Sequence, residues 1–263
     1  MNADSRNERA VNRATASAVS PRVVRTPDVP VQTEYGRYRP YLRIDFYFSC
    51  AYCTMSEAEA EAIRFTIDHY EPQTARSDLI SVYSNLMYAC DECNTRKGNR
   101  CPPENARKEG YRFFRPDEDI FDQHFSGHDM VLSHKSNVGY YTINALDLNR
   151  KSLRRLREIR LRLLNCEKYI VEGITALRQF RIDQLPQQIR ARAQRAIKDA
   201  LNVRSELAAD IDRILRDAAR SSLLGSEEDD SAHVAQRSSN LKHLEALYPE
   251  SWRATTAKRK RKK

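Results

Sequence analysis

Two cysteine pairs, Cys50-Ala-Tyr-Cys53 and Cys90-Asp-Glu-Cys93, stand on either side of Ile67-Asp68-His69. Each CxxC unit lets two thiolates close on one ion from a tight knuckle, and two units complete the tetrahedron of a structural zinc. Disulfide or redox chemistry is the competing use, but a redox CxxC needs neither a second matching pair nor an Asp-His between the pairs. The second group differs in chemistry: a carboxylate, Asp68, an imidazole, His69, and the carboxamides of Asn85 and Asn94. Oxygen donors suit a hard cation such as Mg2+ or Mn2+. Imidazole can take a proton from water near neutral pH. Hydrolysis of a phosphodiester needs such a base, and a divalent ion relieves charge on the phosphate and on the departing oxygen. Each residue also has a plainer use: a lone His packs or faces solvent, a lone Asn caps a turn, and Asp68 could fix a loop.

Neighbours on a strand point to opposite faces. Asp68 and His69 therefore require a local turn, or must approach a phosphate from different directions. The aromatic stretch from Tyr35 to Phe48 reads as a strand or an aromatic collar leading into the first knuckle. Ser56 and Glu59 make a capping box for a short helix. Phe65-Thr66-Ile67 reads as the strand that delivers Asp68 and His69, Pro72 interrupts it, and residues 73–81 form a loop. Ser84 to Cys93 suits a helical turn presenting Asn85 and then a knuckle, and Asn94 to Lys97 should begin a helix ended by Gly98. Residues 100–125 are loop-rich. Met130–Leu132 and Tyr140–Ile143 could pair as a hairpin about Asn137–Gly139. From Leu146 through Leu148, Leu153, Leu156, Ile159, Leu163 and Ile170 the apolar spacing is helical. Pro186 should break this run, Ile197 to Leu215 mark a later helix, and Leu241, Leu244 and Leu247 a short one.

The 263 residues can hold one substantial domain or two small ones, and 7 glycines with a mean hydropathy of −0.73 argue against a large α/β enzyme. The formal net charge is +9 and unevenly spread. Residues 1–149 carry 18 basic and 21 acidic side chains, residues 150–263 carry 27 and 15. The positive half either holds a polyanion or only solubilises long helices. Cys101 and Cys166 are left over as inert thiols, and with no apolar leader a reducing cytoplasm is expected. No apolar run reaches the roughly 18–20 residues that cross a membrane. The basic run Lys258–Lys263 has the composition of a nuclear-localisation signal or of a nonspecific DNA-binding tail.

Cys50-Ala-Tyr-Cys53, Ile67-Asp-His-Tyr-Glu-Pro72, Asn85-Leu86 and Cys90-Asp-Glu-Cys-Asn-Thr-Arg-Lys-Gly98 together closely resemble the HNH endonuclease family in its four-cysteine, zinc-stabilised form. The resemblance covers about residues 40–100. It implies an α+β fold: a small ββα-metal core with structural zinc, here followed by a mainly α-helical extension. It implies His69 as general base, Asp68 as the metal-binding carboxylate, Asn85 as the brace that orients the base, and Asn94 as the residue that completes the metal site. Cys50, Cys53, Cys90 and Cys93 would hold Zn2+, and Asp68 with Asn94 a catalytic Mg2+ or Mn2+. Water attack on phosphorus would then leave 5′-phosphate and 3′-hydroxyl ends.

Tyr70-Glu71 departs from the apolar pair the family often has there, and Asn94 in place of His is a weaker ligand. Arg96, Lys97 and Arg100 lie near enough to Asn94 to clamp phosphates. Arg107, Lys108 and Arg112 are weaker candidates, and His124 and His128 could reach a phosphate if their segment folds over the cleft. The expected organisation is a flexible arm (1–34), the nuclease domain with its insertion or hairpin (35–149), a basic helical extension (150–224), and an acidic linker, short helix and basic tail (225–263). DNA is the expected partner and RNA the alternative, with a protein partner or self-association through residues 150–224, no membrane, and a bacterial or phage setting in host defence or a mobile element. The reading from another class is a catalytically silent zinc module that binds nucleic acid or protein. The intact set of Asp68, His69 and Asn94 argues against it.

Overall fold

The computed structural model describes residues 21–60, 63–127, 130–163, 175, 186–196, 198 and 230–254. The chain divides into two compact units, Met1–Leu153 together with Glu228–Lys263, and Arg154–Glu227. The first is an α+β unit built round one antiparallel pair of strands. β1 (Phe65–His69) pairs with β2 (Leu86–Cys90), with Asp68 opposite Met87 and His69 opposite Leu86. Every residue of β2 is buried, as expected of a strand covered on both faces. The chain turns at Cys90 directly into a helix, Asp91–Lys97, which lies across β1. Gly98 ends that helix with φ +50°, a left-handed conformation that favours glycine. The result is a ββα unit whose helix begins three residues earlier than the sequence suggested.

The stretch expected as a strand or aromatic collar is instead a 3-10 turn, Tyr35–Tyr38, and a helix α1, Arg39–Asp45. Its buried residues Tyr38, Leu42 and Phe46 recur every fourth position, which is a helical period and not the alternation of a strand. Pro40 in the first turn fits that start. The capping box at Ser56 does form: Glu59 accepts from the Ser56 backbone and hydroxyl at 2.8 Å each. It closes a single turn and no helix is described there. Residues 23–26, within the expected arm, are seated on the domain. The Val23 N–H donates to the Pro116 carbonyl, Arg25 pairs with Asp117, and Thr26 donates to the buried Asp45.

The expected hairpin of Met130–Leu132 with Tyr140–Ile143 is also replaced. Asn137–Leu146 is a helix capped by Ser136, and Val138, Tyr141, Thr142, Ala145 and Leu146 form its buried face at i, i+3, i+4, i+7 and i+8. The short strands here are Phe125–Ser126 and Ser133–His134, paired antiparallel. Gly139 is required where this helix crosses the end of helix Phe121–His124: a Cβ would lie 2.0 Å from the His124 carbonyl oxygen. Two further short helical turns, Glu104–Lys108 and Phe121–His124, interrupt the stretch read as loop.

Helix Ser231–Leu247 is longer than the short helix expected and packs back on helix Asn137–Leu146. Arg237 donates to the Asn144 carbonyl and Asn240 to the Asn144 side chain. Phe113, Tyr141 and Trp252 continue the core between them, with ring centroids 5.0 and 5.5 Å apart. In the second unit, residues 154–163 and 187–196 are helical, the latter starting directly after Pro186 as that residue's fixed φ favours. Ile197 and Leu201–Leu215, the acidic linker up to residue 229, and Lys258–Lys263 lie outside the described residues. Among the described residues no helix is long and apolar enough to cross a membrane.

Candidate active site

The four knuckle cysteines converge. Their sulfurs all lie within 4.8 Å of one another, and Cys53 Sγ is 3.7 Å from Cys90 Sγ. Two thiolates on one tetrahedral zinc stand about 3.8 Å apart, given a Zn–S bond of ~2.3 Å, whereas a disulfide needs ~2.05 Å. Cys50, Cys53, Cys90, Cys93 and Cys101 are all free thiols. Contact with Cys50, Cys53 and Cys90, together with burial, pushes the Cys93 thiol well up, so four such sulfurs need a cation among them to ionise together. Arg150, almost wholly buried, places Nη2 3.9 Å from Cys93 Sγ. Burial opposes its charge, but Cys93, Cys53, Glu92 and Cys90 hold the guanidinium protonated. Glu92 Oε1 lies 2.8 Å from Arg150 Nε at an angle that makes no hydrogen bond, so that contact is ionic only.

The register of β1 divides Asp68 from His69, as alternation on a strand demands. Asp68 points inward. Its Oδ1 accepts from Lys97 Nζ at 3.0 Å and its Oδ2 from the Tyr52 hydroxyl at 2.5 Å. Burial, and then the Asp68 charge, pushes the Tyr52 phenol well up, so it stays a donor. Lys97 also donates to the His69 carbonyl at 2.6 Å and is 0% exposed. Lys97 therefore cannot clamp a phosphate, contrary to the expectation from its position. It is the buried counter-ion of the carboxylate. Arg96 binds Glu92 and Asp147, and Arg100 is mostly covered, with Glu245 at 3.9 Å. Arg107 and Arg112 make two-pronged pairs with Glu71 and Asp119, and Lys108 pairs with Glu104. His124 donates to or accepts from Ser136 at 2.7 Å beside Asp119, a structural use, and His128 lies outside the described residues.

His69 faces an open cavity of about 290 Å³ that Asp68, Asn94, Tyr35, Gln73, Thr74 and Asn99 also line. Its Nε2 lies 2.9 Å from the Ile80 carbonyl, which can only accept, so Nε2 carries the proton and Nδ1 holds the lone pair. Gln73 Nε2 stands 3.1 Å from Nδ1, and the Tyr35 ring meets the imidazole edge-on at 4.8 Å. Burial lowers the His69 pKa below its ordinary 6.5, outweighing the Ile80 bond and the Asp68 charge that raise it. The imidazole is consequently neutral at pH 7.

Asn85 does not line this cavity and sits behind it. Its Oδ1 accepts from the Glu71 N–H at 2.8 Å, and its Nδ2 donates to the carbonyls of Glu71 and Leu79 at 3.2 Å each. It thereby spans the loop whose next residue, Ile80, holds His69. Asn94 Nδ2 donates to Thr66 Oγ1 at 2.8 Å, and no donor among the described residues reaches its Oδ1. Asp68 keeps one free lone pair on each oxygen. These oxygens fit a hard divalent ion completed by water, while the Lys97 ammonium on the same carboxylate opposes it.

Tyr52, Gln73, Tyr35 and the Ile80 carbonyl carry no sequence signal beyond their nearness to the motif. Only Tyr52, inside the first knuckle, had a position that could have drawn attention.

The family model described as HNH endonuclease matches residues 50–100, from the first cysteine of the cluster to just past the helix Asp91–Lys97. Comparison with curated proteins and with solved structures returned no match.

Proposed function

We propose that this chain is a metal-dependent endonuclease that hydrolyses DNA phosphodiester bonds, leaving 5′-phosphate and 3′-hydroxyl ends. One observation carries the reading: a buried, neutral imidazole whose tautomer is set by the Ile80 carbonyl, with its basic nitrogen beside Gln73, in the wall of a cavity that Asp68 and Asn94 also line. His69 Nδ1 takes the proton of a water molecule as that water's oxygen attacks phosphorus. The Gln73 amide, which now stands against Nδ1, must give way or hold the water there. As the imidazole becomes cationic, the Ile80 carbonyl and the Asp68 carboxylate stabilise it.

Asp68 and Asn94 would hold the Mg2+ or Mn2+ ion, which when bound relieves charge on the phosphate and on the leaving oxygen. Asn85 acts through the loop it spans, as a positioning residue. The product ends and the choice of DNA follow from the family resemblance.

The test is cleavage of supercoiled DNA, linear DNA and RNA with Mg2+ or Mn2+, alongside His69→Ala and Asn94→Ala in zinc-loaded protein. The expected result is DNA cleavage, with His69→Ala slower by about 10²–10⁴, the usual contribution of a positioned base. Equal rates for the parent and His69→Ala would remove His69 as the base. Cleavage confined to RNA would change the substrate and keep the site.

A further inference from the structure

Successive residues of an antiparallel strand turn their backbone groups to opposite edges. The Asp91 N–H donates to the Arg64 carbonyl and the Tyr70 N–H to the Asn85 carbonyl, so residues 64, 66, 68 and 70 bond across to β2. The carbonyls of Phe65, Ile67 and His69 therefore face the open edge of β1. Side chains hold two of them: Lys97 Nζ meets the His69 carbonyl at 2.6 Å, and Arg39 Nη2 meets the Phe65 carbonyl at 2.7 Å. Ile67 lies between them and lines the His69 cavity. The Phe65 carbonyl, and Arg39 with it, is about 7 Å along this edge from that of Ile67.

Helix Asp91–Lys97 runs beside β1 in step with it. Asp91 meets Arg64, Asn94 meets Thr66, and Lys97 meets Asp68 and His69. Arg39 and Arg64 therefore stand at the Phe65 end of the cavity, and Arg64 shares the face of β1 that carries Thr66 and Asp68. Asn99, just past the helix, lines the cavity at the His69 end, and Arg253 Nη1 donates to its Oδ1 at 3.4 Å.

These three arginines are exposed, and among the described residues none is paired with a carboxylate. The other cations near the cavity are already engaged. Asp78 holds Arg76 two-pronged, Arg37 has Glu34 at 3.8 Å, Arg100 is mostly covered with Glu245 at 3.9 Å, and Lys97 is buried on Asp68. A guanidinium with no carboxylate to give up gains the most from a phosphate.

We propose that Arg39 and Arg64 at one end, and Arg253 at the other, grip the phosphates that flank the bond to be cut. The strand then crosses the cavity along the open edge of β1. That the polyanion is DNA rests on the nuclease reading; the placement of the three cations does not.

The test measures binding of a fluorescent duplex of about 30 base pairs to the zinc-loaded full chain carrying His69→Ala, without added divalent ions and over a range of salt. Arg39→Gln, Arg64→Gln and Arg253→Gln are compared in that background, singly and together, with Arg76→Gln as the carboxylate-paired control. Glutamine removes the charge and keeps an amide donor for the Phe65 carbonyl or for Asn99. Each single substitution should lower the slope of log affinity against log salt by ~0.9 and weaken binding about eightfold at about 0.1 M salt. The triple variant should lose about 2.7 of the slope, and Arg76→Gln should keep it. A triple variant with the parent's slope, a parent that does not bind the duplex, or a loss in Arg76→Gln as large as in Arg39→Gln would overturn the proposal. Arginine-dependent binding in a protein that cuts nothing would sink the nuclease reading alone. An active nuclease whose binding ignores all three arginines would sink this proposal alone.

Discussion

Replacing Lys97 with Met tests the least expected feature of the site, an ammonium buried on the carboxylate proposed to bind the catalytic ion. Lys97 is wholly buried, Asp68 is 4% exposed, and their atoms approach to 3.0 Å, so solvent screens the pair little. Lys97→Met keeps most of the volume but leaves Asp68 with only the Tyr52 hydroxyl, and takes from the His69 carbonyl the donor that now meets it at 2.6 Å. Breaking one side of a buried pair costs about 3–5 kcal/mol, because the surviving charge stays buried. At about 2–4 °C per kcal/mol for a domain of this size, the melting temperature should fall by roughly 6–20 °C.

The assay is thermal unfolding by circular dichroism at pH 7.5, on zinc-loaded protein without added divalent ions. The double variant Lys97→Met/Asp68→Asn should recover most of the loss, since it removes the unpaired charge. Added Mg2+ should raise the melting temperature of Lys97→Met more than that of the parent, because the competing ammonium is gone. A single variant that melts within about 2 °C of the parent, or a double variant no more stable than the single one, would refute the argument.

Three further outcomes follow from the same contacts. Burial lowers the His69 pKa, so between that value and 6.5 the unfolded chain binds a proton that the folded chain does not. The stability from this group is complete above about pH 6.5 and is lost as pH falls through that window. The acid limb of kcat/KM should accordingly lie below 6.5, and a limb at or above 6.5 would contradict it. Asn85→Ala gives up three hydrogen bonds of the loop that carries Ile80. It should cost about 2–3 kcal/mol in urea unfolding and lower kcat more than it changes KM; a normal kcat would confine Asn85 to stability. Arg150→Leu removes the buried cation beside Cys93, and a chelator competition should show zinc held about 10–100-fold less tightly, as for other residues that support metal ligands. Zinc affinity equal to the parent's would leave Arg150 as packing only.

The sequence disclosed the cysteine cluster better than the scaffold, for a physical reason. Ligand chemistry is local: two CxxC units can converge only if each forms a knuckle, and the sulfurs do converge. Strand β1 was likewise legible from Phe65-Thr66-Ile67. Strand β2 was not, because Leu86-Met-Tyr-Ala-Cys90 is buried on both faces and shows no alternation. The aromatic residues of Tyr35–Phe48 suggested a strand by type, while their fourfold spacing belonged to a helix. Tyr140–Ile143 misled in the same way, since β-prone residues there fill the buried face of a helix capped by Ser136. The packing of Ser231–Trp252 within the first unit depends on contacts with Asn144 and Tyr141 about a hundred residues away, which no local pattern encodes.

What spacing could not reveal is that one residue joins the cysteine cluster to Asp68. Tyr52 lies between Cys50 and Cys53 of the first knuckle, and its hydroxyl is one of the two donors to Asp68. The direction of the Asp68 carboxylate thus depends on the fold of the knuckle, which in turn depends on whatever draws the four sulfurs together. Tyr52→Phe separates the two dependences. It leaves the cysteines and the ring packing against Phe113 in place while freeing Asp68 Oδ2. Zinc retention should be unchanged. The affinity for Mg2+, read from the Mg2+ dependence of the melting temperature, should shift, because the carboxylate gains a lone pair and loses its orientation. A variant with lower zinc affinity and unaltered Mg2+ dependence would place Tyr52 wholly in the zinc scaffold, and the link between the sites would fail.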